Sequence, residues 1–274
     1  MRSELAIYDL ASGAVETVLE TNQLIEAPNF TLDGKSLIIN GDGHLYRVDL
    51  QTRAQVQIDT GAAVACNNDH GVSPDGTRLV ISNGDVLGQS DIYTLPIAGG
   101  ALHRVTELSP SYWHGWSPDG ARLAYVANRS GTYQVFTIPV AGGDEFQVTH
   151  DFEHCDGPDY SPDGKWIWFN GQRAGSVQLW RCAPDGSNLQ QMTSDERVNW
   201  FPHPSPDGRH VLYLAYENGI KGHPRDKHVE LRLMASEGGA PRTLLQLFGG
   251  QGTMNVPCWA PTSDRFAFVR YQSA

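Results

Sequence analysis

Six residues, Glu26, Asn68, Tyr112, Asp156, Trp200 and Asn255, recur along the chain at steps of 42, 44, 44, 44 and 55 residues. Residues returning at a fixed period hold equivalent places in a repeated unit, and a place that only packs is filled by similar side chains. Here it holds two carboxylates, two carboxamides and two aromatics. His70 and His114 stand two residues beyond Asn68 and Tyr112, and Asn67, Asp69, His154, Asn199 and His203 lie beside the series. Such a mixture of groups is what converges in a ligand pocket.

Three chemistries are open to it. Asp69, Asp156 or Glu26 near His70 and His114 would suffice for general acid–base work, since burial can bring a carboxyl toward neutrality. Glu26, Asn68, Asp156 and Asn255 would offer oxygens around one axis, a set suited to one hard divalent cation, and His70, His114, His154 and His203 are a competing imidazole set for zinc, manganese or iron. Tyr112, Trp113 and Trp200 could stack on a sugar beside Asp69, Asp156 and Asn68 as hydroxyl partners. The plainer reading is that the polar groups solvate a channel mouth and that Trp113 packs between neighbouring units. Covalent catalysis is not supported: Cys155 adjoins His154, but adjacent strand residues face opposite ways.

The element behind the period is a turn. TLDG at 31–34 is followed by SPDG at 73–76, 117–120, 161–164 and 205–208, with a degenerate APTS at 260–263. Pro presets φ at the second turn position and Gly accepts the positive φ that closes it. The serines are therefore turn residues, and GWSPDG is no nucleophile elbow, because Asp119 stands where that motif needs glycine. Each unit reads as turn, alternating strand, loop, alternating strand, Gly-Gly turn and short strand, as in residues 116–149, and runs such as 166–171 and 211–216 read as core. Residues 3–20 match the last two strands of a unit and 258–271 the first two. The expectation is an all-β, six-bladed β-propeller of four-stranded antiparallel blades spanning 1–274 as one domain, closed by terminal strands that share a blade.

With strands A to D running outward, the SPDG turns join A to B, so the series above arrives at the channel mouth on the opposite face. That face also receives an insertion at 217–230 between strands B and C of the fifth unit, which brings Lys221, His223, Arg225, Asp226, Lys227 and His228 as a candidate lid, and an enlarged loop at 248–255 with Gly249, Gly250 and Gly252. Arg225 or Lys221 could neutralise a ligand carboxylate.

The composition closes off other classes. Glycine (29) and proline (16) are too many for a helical protein, and 40% hydrophobic content is too high for disorder. A formal net charge of −11 disfavours nucleic acid as a partner. No apolar run is long enough for a membrane helix, no secretory signal begins the chain as given, and four cysteines without a CxxC pair suit buried thiols. The expected location is cytoplasmic, or periplasmic if a leader preceded this sequence.

The repeat P-x-[WFY]-SPDG followed by an alternating strand resembles the TolB-type β-propeller family over almost the whole chain. TolB-like propellers include a periplasmic translocation component, peptidase propeller domains and carbohydrate lyases, while TolB itself adds a signal and an N-terminal domain that this sequence does not show. The resemblance also implies a comparison with oligogalacturonate lyase, whose metal is held partly by an HPHPS-type segment. Residues 201–205 match it with His203, a further metal candidate, but carry Phe201 in place of the other histidine. Two functions therefore stand side by side. One is a binding module that holds a small polar ligand, sugar or peptide, or docks a protein partner. The other is a carbohydrate-active lyase or hydrolase working at the same mouth.

Overall fold

The computed structural model describes residues 2–84 and 87–272, and it is a six-bladed β-propeller. Blades one to five occupy residues 26–57, 66–104, 111–147, 154–191 and 198–249, each a four-stranded antiparallel sheet in sequence order. The sixth joins Arg265–Gln272 to Arg2–Asp9 and Val15–Thr21. Arg2 pairs with Gln272 and Asp9 with Arg265, so eight residues of the first strand are zipped to the last. The buried Glu4 carboxylate receives Arg270 Nε at 2.8 Å and Nη2 at 2.6 Å across that seam.

The central residues of strand B in each blade are mostly apolar because both of its faces meet a neighbouring blade. In His210–Tyr216, Leu212, Leu214 and Tyr216 pack toward Tyr8, Phe266 and Phe268 of blade six. The alternate residues Val211, Tyr213 and Ala215 pack toward Trp168 and Leu179 of blade four. Period two thus sorts one strand between two interblade cores.

The SPDG turns close as the sequence predicts. Ser73 Oγ donates to Asp75 Oδ1 at 2.6 Å, Thr77 N donates to the same oxygen at 3.0 Å, and Gly76 takes a φ of +71°. The hydroxyl of Ser73, then the backbone N–H of Thr77, hold the Asp75 carboxyl down at about 2.

Two features depart from the regular reading. In blade six the innermost strand is reduced to one bridge, Trp259 to Phe266. The enlarged loop turns back on itself, with Gly252 N donating to Asn255 Oδ1, and places the Thr253 carbonyl on Val269 N. The second departure is a bulge or irregularity in every other strand A, between Glu26 and Asn29, Cys66 and His70, Trp113 and Gly115, Asp156 and Asp159, and Trp200 and His203. Extra residues there change which side chains reach the channel.

Candidate functional site

The bulged ends of the strands A open on a cavity of about 590 Å³ at the channel mouth. Glu26, Asn68, Tyr112, Asp156 and Asn255 all line it, five of the six members of the periodic series. Asn67, Asp69, His114 and His154 join them, and the fifth-blade insertion adds His223 and Arg225. Tyr133, at the start of strand Tyr133–Pro139, Gln251 and Phe201 complete the polar and aromatic wall.

Asp156 is the hub. Its Oδ1 lies 2.9 Å from His114 Nε2 and accepts the Gly157 N–H at 2.8 Å, while Oδ2 lies 3.3 Å from His223 Nε2 and 3.8 Å from His154 Nε2. Burial alone would raise this carboxyl, but the charge and hydrogen bond of His114, with the bonds from His154 and His223, bring it well below the carboxylate range. His114 Nδ1 faces the Asn255 carbonyl at 3.3 Å, so both ring nitrogens have an acceptor to donate to. Burial opposes its charge, yet Asp69 and Asp156 outweigh that and lift the imidazole to about 9. Asp69, 4.0 Å from the same Nε2, is raised by burial to about 6. Glu26 is raised by burial too, against the bond it accepts from Asn40 Nδ2 at 3.1 Å. One cavity therefore holds a committed carboxylate, an imidazolium, and a carboxyl that exchanges its proton near neutral pH.

The insertion forms a strap that reaches this mouth through His223 and Arg225. Its loop covers 217–226, between strands His210–Tyr216 and Lys227–Ala235, so Lys227 and His228 belong to the strand and not to the lid. Tyr216 Oη donates to the Pro224 carbonyl at 3.1 Å. The glycines of the last loop let it approach closely: a Cβ on Gly250 would lie 2.2 Å from the Pro224 oxygen, and one on Gly252 would lie 2.7 Å from Glu26 Oε1.

Comparison with known proteins places this arrangement. The TolB beta propeller domain model matches residues 109–223. Uncharacterized protein Atu1656 of Agrobacterium fabrum is 46% identical over 272 residues, covering 99% of this chain and 93% of that one. The solved structure of "putative TolB" from Agrobacterium tumefaciens superimposes with a TM-score of 0.97 at 45% identity, over 100% of this chain and 99% of the other. The chain belongs to the TolB-like β-propeller family. TolB from Acinetobacter baumannii shares the fold at a TM-score of 0.72 and 19% identity, over 91% of this chain and 64% of that protein.

Five residues expected at the mouth of this TolB-like propeller lie elsewhere, among them Asn199, which is buried with Nδ2 donating to Gln178 Oε1 at 3.0 Å and Asp195 Oδ1 at 2.9 Å. His70 is fully buried with Nε2 3.3 Å from Asn40 Oδ1, and burial pushes its imidazole down to about 3. His203 is also fully buried, with Nδ1 3.2 Å from Asp159 Oδ2 and Nε2 3.0 Å from the Met254 carbonyl. Trp113 packs between blades against Gly71, where a Cβ would come within 2.1 Å of its ring. Trp200 is buried with its ring 4.5 Å from that of His223, behind the cavity wall.

These placements also part the metal-ligand sets. His70 and His203 leave the imidazole set, and the histidine matched to the lyase segment is bound within the core. In the oxygen set, Asn255 Oδ1 is occupied by Gly252 N and Asp156 by its three imidazoles. Among the described residues no group of three or more His, Cys, Asp or Glu side chains is arranged to hold a metal ion. The four cysteines are buried and unpaired, and no described helix is long and apolar enough to cross a membrane.

Proposed function

We propose that this TolB-like propeller binds a small, polar, hydroxylated ligand at its channel mouth. The observation that carries the reading is the cavity itself: the one register position that varies in chemistry from blade to blade supplies five of its lining residues, and the insertion adds His223 and Arg225. Its volume suits a ligand of one or two sugar rings or a dipeptide. A concave cavity lined mostly by polar groups favours such a molecule over a docked protein, which would need an apolar face. The cytoplasm is the compartment proposed, supported by four unpaired thiols.

A second reading, acid–base chemistry on that ligand, is favoured by Asp69 and Asp156. Two carboxyls facing one imidazole are driven apart, Asp69 upward and Asp156 downward, which is how one site holds a proton acceptor and a fixed charge together. Asp69 would take or give the proton, and Asp156 would keep His114 charged and oriented. On a glycosidic or uronic substrate this would be hydrolysis or elimination.

Thermal melts against a panel of neutral sugars, sugar acids, amino acids and dipeptides test the binding reading. One class should raise the Tm of the native protein by several degrees, and Tyr112→Ala or Arg225→Ala should abolish the rise. A panel that leaves every melt unmoved defeats it. For the second reading, product formation from the best binder should vanish in Asp69→Asn while its binding persists.

A further inference from the structure

Asp69 stands apart from the other charged groups of the cavity. It lines the cavity although the residue is only 5% exposed, and among the described residues no donor reaches its carboxyl within hydrogen-bond distance. His114 Nε2, 4.0 Å away, carries a single hydrogen and directs it at Asp156 Oδ1, 2.9 Å distant. The remaining imidazoles and the guanidinium are engaged elsewhere. Nε2 of His223 and of His154 lie 3.3 and 3.8 Å from Asp156 Oδ2, and Arg225 Nε donates to Asp226 Oδ2 at 3.3 Å while its charge also bears on Glu26.

One imidazolium thus stands between two carboxylates, and the second carboxylate has no hydrogen-bonded counter-charge of its own. A buried charge left in that condition is costly, and the field of a chain with a formal net charge of −11 draws cations to it. A ligand hydroxyl would donate to one oxygen and leave the charge unanswered, whereas an ammonium group answers the charge and brings three N–H donors to the two oxygens. The neighbouring wall is aromatic: Tyr112 and Tyr133 both line the cavity with ring centroids 6.1 Å apart. Burial first, then Tyr133 and Asp69, push the Tyr112 phenol up to about 12, so this ring stays neutral within the field of Asp69. Aromatic rings beside a carboxylate favour a cation over an uncharged group.

We propose that the ligand of this cavity carries a protonated primary amine and that Asp69 is its counter-ion, with Tyr112 and Tyr133 beside it. The inference rests on the binding reading above and narrows the ligand to amines of that size, an amino sugar or the free N-terminal end of a dipeptide. A seated ammonium holds Asp69 ionised, so in this complex the residue is a fixed charge and not the proton exchanger of the acid–base reading.

The experiment is calorimetric titration of the native protein with pairs of ligands that differ only in an ammonium for a hydroxyl: D-glucosamine against D-glucose, and L-alanyl-L-alanine against L-lactoyl-L-alanine. It is run at about pH 7, above the Asp69 value of about 6 and below the α-amino range, so that both partners are charged. In at least one pair the amine should bind about tenfold more tightly than its hydroxyl partner, the difference made by one charge-assisted hydrogen bond. The pair that does so tells whether a sugar or a peptide supplies the ammonium. Asp69→Asn should bring that amine down to the level of its hydroxyl partner, a loss of preference that general damage to the fold would not produce. Hydroxyl partners that bind as tightly as their amines overturn the inference and leave the binding reading standing. Two amines that do not bind, or a preference that Asp69→Asn leaves unchanged, overturn it as well, and the binding reading is then decided by the neutral sugars and sugar acids of its own panel. The comparison within each pair needs no variant, so it holds if Asp69→Asn does not fold.

Discussion

Gly250 lies directly under Pro224: its φ is +109°, and a Cβ there would sit 2.2 Å from the Pro224 carbonyl oxygen. The loop that ends blade five and the strap at the mouth are therefore seated on one another, backbone to backbone. Gly250→Ala should lift the strap, break the Tyr216 to Pro224 bond and cost about 1–3 kcal/mol. Gly219→Ala is the control, because it has positive φ but no heavy atom within 4 Å. Limited proteolysis should cut within 217–226 faster in Gly250→Ala than in Gly219→Ala, and equal rates would refute the seating.

The raised imidazole of His114 makes stability depend on pH with a definite sign. A histidine near 6.5 when unfolded and about 9 when folded binds more protons in the native state throughout that window. Its contribution is complete below the unfolded value and disappears as pH rises through the folded one. Denaturant unfolding at pH 6, 7.5 and 9 should show native stability falling, by something on the order of 2–3 kcal/mol from this group. His114→Asn should flatten that slope.

Removing the hub carboxylate should be costly. Asp156→Asn leaves the His114 charge buried with only Asp69 to answer it, and loss of one partner from a buried pair costs about 3–5 kcal/mol. The melting temperature of Asp156→Asn should drop by more than that of Glu26→Gln, whose carboxyl burial already favours protonation. Similar drops would mean that Asp156 is not the anchor of the three imidazoles.

The seam between the termini should show its ion pair in local opening. Arg270→Met leaves the Glu4 carboxylate with Thr17 as its remaining side-chain donor and should cost about 1–2 kcal/mol. Amide exchange should quicken first in Arg2–Asp9 and Arg265–Gln272, with the blade-three strands unaffected. Uniform acceleration over all blades would contradict this.

The propeller was legible in the chain because its turn chemistry repeats: Ser, Pro, Asp and Gly each have a local reason to stand where they do, and the period then counts the blades. The face of the site was legible for the same reason, since the strand direction follows from the turn. The side-chain assignments failed where strand periodicity fails. His70 and His114 hold the same position relative to the turn, yet only His114 enters the cavity. In blade three the pairing skips His114 itself, between Trp113 and Gly115. In blade two the irregularity spans the residues before His70, so Asp69 enters while His70 turns to Asn40. Gly157, at φ +57° inside a strand, was the available sign of such a bulge. Tyr133 was also within reach, because a residue opening strand C must lie on the face of the B–C loops.

The closed seam also orders events at the ribosome. Residues 2–9 leave the exit tunnel long before their hydrogen-bond partners at 265–272. Until the later strand emerges, Arg2–Asp9 can pair with only one of its two sheet neighbours, Val15–Thr21, and its other edge stays bare while five blades form behind it. The nascent chain thus carries a sticky margin that only the strand Arg265–Gln272 covers, so a chain stalled or cut before Arg265 would remain an open ring prone to pairing with another copy.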